Sequence, residues 1–191
     1  MTTAASVRVI VAGVGYRNLR DHSIGVEVAD RLETEAWPDG VVVEDLSYNP
    51  IAVVQRLEDE PPEQRFERAV VVAAVERIGR APGRVAIYRW DGVLPADDEI
   101  HRAVTEAVTG VIALDNTLIV TRHFGVLPDE VVVVEVEPGV HEFGDTFSEV
   151  VARQFETVCQ LVRTYATNEV AVERLPCAPL GGPALASMSG S

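Results

Sequence analysis

Short runs of β-branched apolar residues alternate along this chain with longer stretches in which apolar positions recur every three or four residues. Residues 7–13 form one such run, closed by Gly13, and read as a strand buried on both faces. Ile24, Val28, Leu32 and Trp37 follow at helical spacing and predict a helix over about 23–36, stopped by the turn Pro38-Asp39-Gly40. A second strand starts at 41–43 and closes at Glu44-Asp45. Pro50 suits a first helical turn, and Ile51, Val54 and Leu57 give that helix one apolar face before Pro61-Pro62 ends it. Residues 69–75 are apolar throughout, which predicts a central strand. Ala81-Pro82-Gly83 turns the chain into a fourth strand at 85–88, and 97–122 reads as helical with a break at Thr109-Gly110. The last long strand falls at 131–136. A stripe running from Phe147 through Val151, Phe155, Val158 and Val162 to Tyr165 predicts a long closing helix. Strands joined through helices need right-handed crossovers. The pattern therefore predicts an α/β domain, a three-layer α/β/α sandwich around about five mostly parallel strands, spanning 7–166. A short arm, 1–6, precedes it, and a Pro-, Gly-, Ala- and Ser-rich stretch, 167–191, reads as a mobile extension.

Composition narrows the function classes. Of 191 residues, 30 are Asp or Glu and 16 are Arg, for a formal charge of −14. Such a balance argues against nucleic acid and against anionic membrane surfaces, both of which need basic patches. Lysine is absent altogether, which removes Schiff-base chemistry and a phosphate-binding P-loop. Cys159 and Cys177 are too few for a disulfide framework or a zinc cluster. The first residues lack the pattern of a signal peptide, and no apolar run approaches the roughly 18 residues of a membrane span, so a cytoplasmic location is expected.

In an open α/β sheet the ligand site lies beyond the carboxyl ends of the strands, which directs attention to residues 13–25. Gly13-Val14-Gly15 resembles the start of a dinucleotide loop, but Asn18 stands at the third glycine position and the helix begins too late to meet a phosphate. A serine hydrolase using Ser23 with Asp115 and His123 or His141 is a remote alternative. The nucleophile elbow it needs sits directly after a strand, whereas Ser23 reads more simply as a helix N-cap, with Asp21 favoured near the helix dipole.

The same segment resembles the opening motif of the [NiFe]-hydrogenase maturation proteases, the family that trims the C-terminus of the hydrogenase large subunit. That motif runs strand, Gly-x-Gly-Asn, short loop, two acidic residues, one small residue and a glycine in the first helical turn. Gly13, Gly15, Asp21 and Gly25 stand in register with it. Asp45-Leu46-Ser47-Tyr48 takes the place of the family's Asp-Gly-Gly-Thr, the third strand matches at 70–74, and Gly125-Val126-Leu127-Pro128 matches a late Gly-x-x-Pro. The resemblance spans about residues 7–166. It implies an endopeptidase acting by metal-assisted hydrolysis on a nickel-loaded [NiFe]-hydrogenase large-subunit precursor, the nickel being the substrate's own and no cofactor being tightly bound.

Residue by residue, the resemblance makes His22 the metal contact, assigns Asp21 and Asp45 to orienting the site or positioning water, and sets Gly13, Gly15 and Tyr16 against the substrate. The family's third-strand aspartate falls on Ala73 or Ala74. Its late histidine falls near 105–110, where there is none, so that His101 becomes the nearest substitute. With those two donors missing, the sequence predicts weak metal binding by the isolated chain, little changed by His22→Ala. The alternative it raises is a catalytically silent homologue serving as a chaperone or accessory subunit of hydrogenase assembly.

Overall fold

The strand that opens the fold, β1 (Val9–Val14), is buried along its whole length in the computed structural model, which describes residues 7–183. Its alternate side chains serve two different cores, as the period-2 geometry of a strand requires. Val9 and Val11 face one side with α1 (Ile24–Glu33) and α6 (Phe155–Thr167). Ile10, Ala12 and Val14 face the other with α2 (Pro50–Glu58) and α4 (Leu114–His123). A third cluster, including Val54, Ile100, Ala103 and Ile119, packs α3 (Asp97–Val108) against α2 and α4.

The sheet has the order β2-β1-β3-β5-β4-β6, with β2 at Val41–Asp45, β3 at Arg68–Ala74, β4 at Val85–Trp90, β5 at Glu130–Val136 and β6 at Cys177–Ala178. All neighbours run parallel except β4 and β5. The three-layer α/β/α sandwich expected from the sequence is the observed architecture, and β3 lies inside the sheet as its unbroken apolar run predicts. Among the described residues no helix is long and apolar enough to cross a membrane.

Three expectations are corrected. The sheet has six strands, because the segment after α6 adds one. The closing helix is two, α5 (Glu149–Ala152) and α6, with the chain re-starting at Arg153-Gln154. Residues 167–183, expected to belong to a mobile extension, are docked on the domain. Asn168 caps α7 (Glu169–Glu173) by accepting the Ala171 amide at 3.0 Å, and Val172 is fully buried. The edge strand β4 then takes β6: the Arg89 amide donates to Pro176 O and the Asp91 amide to Ala178 O, each at 2.9 Å. No periodic apolar face announces this order, because it comes from edge pairing. The expected arm 1–6 and the end of the tail, 184–191, lie outside the described residues.

Candidate functional site

The chain passes from β1 to β2 on one side of β1 and then to β3 on the other, so the strand order reverses between β1 and β3. A cleft of about 460 Å³ opens at their carboxyl ends. Its walls include Val14–Tyr16 at the end of β1, residues 73–77 at the end of β3, and Leu114–Asn116 at the start of α4. This is where the topology of an open α/β sheet places ligands.

The glycines of the first turn are explained by packing. A Cβ on Gly13 would lie 2.2 Å from Gly25 O, and one on Gly25 would lie 2.3 Å from Val14 O. The pair thus lets α1 lie directly against β1. A Cβ on Gly15 would lie 2.3 Å from His22 O, the atom that accepts the Tyr16 amide at 3.1 Å. Gly15 therefore draws the 3-10 turn Arg20–Ser23 back over the strand end and sets His22 at the cleft wall. Ser47 Oγ accepts the Gly15 amide at 3.0 Å, tying β2 to the same turn.

Asp21 is completely buried, and its role is structural. Its two oxygens accept the amides of Gly139, Val140 and Ser148 at 2.7, 3.0 and 2.6 Å, and the Ser148 hydroxyl at 2.7 Å. Burial alone would push its pKa up; these four donors outweigh burial and hold the carboxyl below its usual range. Arg20, in the left-handed region at φ 41°, is fixed from the same loop: its amide donates to Gly144 O and its side chain to Thr146 O and Glu142. These contacts hold a conformation that a non-glycine residue otherwise avoids.

The clamped loop carries His141, which the sequence brings in only through the serine-hydrolase alternative. The His141 and His22 rings lie 4.5 Å apart between centroids. Glu76, two residues beyond the end of β3, completes a group of three. Its Oε1 is 3.7 Å from His22 Nε2 and 3.9 Å from His141 Nδ1, and one ligand atom from each residue falls within 4.8 Å of the others. His22 Nε2 is buried with no hydrogen-bond partner. Burial first, and then repulsion from His141, lower the His22 pKa against the pull of Glu76 and Asp21, so the ring is held neutral, the form that ligates metal.

Behind Glu76 the backbone is rigidly held. The Arg77 amide donates to Glu137, and its guanidinium pairs with Asp115 through two 2.7 Å bonds and with Glu135 at 2.6 Å. Glu135 is fully buried. Desolvation raises its pKa, but Arg77, Tyr88 and Arg80 together hold it below the usual value.

The other residues singled out in the sequence fall elsewhere. Asp45 accepts Arg17 at 2.9 Å and the Ser47 amide at 2.9 Å, and does not line the cleft. His101 sits on the exposed face of α3, also away from it. Tyr16 does line the cleft, its hydroxyl accepting the Ile112 amide at 2.8 Å. Ser23 holds the N-cap position, but its hydroxyl donates to Arg20 O at 2.7 Å instead of capping, and Asp115 is committed to Arg77. That removes the serine-hydrolase alternative. Cys159 is buried on the apolar stripe of α6, and burial pushes its thiol up to about 11. Glu76 was missed although it follows the central strand on the ligand side of the sheet, a signal that could have found it. His141 gave none.

No protein-family model and no curated protein matches the sequence. Solved structures do. A hydrogenase 2 maturation peptidase from Thaumarchaeota archaeon SCGC_AB-539-E09 shares 27% identity at a TM-score of 0.57, over 84% of this chain and 98% of that one. The hydrogenase maturating endopeptidase HybD from E. coli matches at 22% identity and a TM-score of 0.60, over 92% and 99%. An endopeptidase from Escherichia coli matches at 24% and 0.62, over 89% and 98%. The fold is thus shared over nearly the whole length of these proteins, in the element order that the sequence motifs follow. The chain is similar in fold to solved hydrogenase maturation peptidases.

Proposed function

We propose that this chain is a cytoplasmic endopeptidase of hydrogenase maturation, acting on the C-terminal end of a nickel-loaded [NiFe]-hydrogenase large-subunit precursor. The observation that carries the reading is the cleft at the β1–β3 switch point with His22 on its wall, in a fold shared with proteins of that activity. The reaction is hydrolysis: water adds to the scissile carbonyl carbon, the C–N bond breaks, and the released peptide leaves with a free amine. Nickel held in the substrate polarises the carbonyl or the attacking water. The part of this chain is to bind and orient. His22 faces the metal-bearing side of the substrate, while Tyr16 and Asn116 offer polar contacts along the cleft.

The rim suits a protein substrate. Ile78 and Phe143 stand almost wholly exposed, each two residues from Glu76 or His141, and Tyr16 is partly exposed at the wall. Aromatic and aliphatic side chains around a polar centre are typical of protein-recognition surfaces.

The test is incubation of the purified chain with purified nickel-loaded precursor, followed by intact-mass analysis. Loss of a C-terminal peptide is expected. A stable complex with no change in mass would overturn the protease reading in favour of an accessory role.

A further inference from the structure

We propose that His22, Glu76 and His141 act together as a two-nitrogen, one-oxygen site for a borderline divalent cation of the nickel, zinc and cobalt kind. Three separate segments deliver these donors to one point: the 3-10 turn after β1, the exit of β3 and the loop after β5. His22 Nε2 is buried and unpartnered, a state that costs free energy unless something fills it. Donor atoms on one tetrahedral metal, at bond lengths of about 2.1 Å, lie about 3.4 Å apart. The 3.7 and 3.9 Å separations to Glu76 need to close by only a few tenths of an ångström, and the two histidine nitrogens, within 4.8 Å of each other, by up to about 1.4 Å, within reach of a side-chain rotation of the exposed His141. Glu76 can supply the first of these movements, since its side chain is two-thirds exposed while the next residue is fixed by three carboxylates.

The donor types choose the metal. Two imidazoles and one carboxylate suit nickel, zinc or cobalt, whereas magnesium and calcium want oxygen ligands throughout. Three protein donors also leave at least one coordination position open, facing the cleft. The cation therefore has two possible sources, a free ion or one already held by a bound protein. The choice of the second source rests on the proposed function; the site itself does not.

The full-length, tag-free chain titrated calorimetrically with nickel chloride or zinc chloride should show one site. His22→Ala, Glu76→Gln and His141→Ala should each weaken it by about tenfold or more. His101→Ala should leave it unchanged, and magnesium chloride should give no binding heat. His141 is exposed, so its variant should keep the wild-type melting temperature and report on the site alone. No binding by the wild type, binding that survives His141→Ala in a folded protein, or loss through His101→Ala would each overturn the proposal. A second arm separates the sources. Nickel-loaded precursor should be captured better than metal-free precursor by the wild type, and this preference should vanish in His141→Ala. Undiminished cleavage and preference in that variant would contradict the site and leave the protease reading intact. Ion binding without any cleavage by the wild type would do the reverse.

Discussion

Asp21 accepts both the amide and the hydroxyl of Ser148, at 2.6 and 2.7 Å, and so fastens the turn after β1 to the far end of the loop after β5. The next residue in the chain, His22, meets His141 of that same loop. Two adjacent residues thus divide the work. The acid builds the wall, and the imidazole on its flank is presented to the cleft.

Asp21→Ala should therefore act on stability before it acts on chemistry. It leaves three partly buried amides and a hydroxyl without the charged acceptor they share, which costs about 3 kcal/mol. For a domain of this size that corresponds to a fall in Tm of about 6–12 °C, readable by thermal denaturation. A change of less than 2 °C or so would show that the loop is held by other contacts.

The two shifted groups predict different limbs of the pH dependence. Asp21 is held below its usual pKa, so its stabilisation is complete above about pH 3.9 and is lost as pH falls through the lower folded value. The His22 pKa is also lowered, but here the unfolded chain takes up the proton first. Stability therefore declines as pH drops below about 6.5. Urea midpoints measured from pH 7.5 to 5 should fall, and His22→Gln should flatten the decline. A midpoint unchanged or rising on acidification would contradict the neutral, desolvated imidazole.

Ending the chain at Pro176 removes β6, the Gly181 amide that donates to the Tyr88 hydroxyl at 3.0 Å, and Leu180 from its place against two apolar clusters. A loss of about 2–4 kcal/mol is expected, or about 4–16 °C in Tm. An unchanged Tm would show that the docked segment adds nothing to the domain.

Gly25→Ala sets two effects against each other. Alanine favours a helix over glycine by about 1 kcal/mol, but its Cβ would meet backbone oxygens of Val14 and Val72 at 2.3 and 2.5 Å. Neither oxygen can move without shifting a central strand, so overpacking should win by about 2 kcal/mol or more, seen as a lower urea midpoint. A raised midpoint would mean that α1 can lift from the sheet.

Most of the architecture is legible in the sequence because strand and helix periods are local. The apolar run 69–75 and the break at Thr109-Gly110 are read directly. The site is legible only in part. Gly13, Gly15, Asp21 and Gly25 belong to one contiguous motif, and that motif leads to His22. Glu76 lies just past the two alanines where a donor is sought, and the exit of β3 carries it to the same cleft mouth. His141 sits in a loop without any period, and only the buried Asp21 carboxylate, invisible as such in the sequence, brings that loop across. Asp21 and Asp45, both acidic and near strand ends, have side chains already spent on backbone amides and Arg17.

The most direct measurement compares one large-subunit precursor in nickel-loaded and metal-free forms, each incubated with this chain and followed by intact mass over time. The loaded form should lose a C-terminal peptide and the metal-free form should stay whole, with cleavage of the loaded form slowed by His22→Ala. Equal cleavage of both forms, or none of either at equimolar chain, would contradict a protease that reads the metal in its substrate.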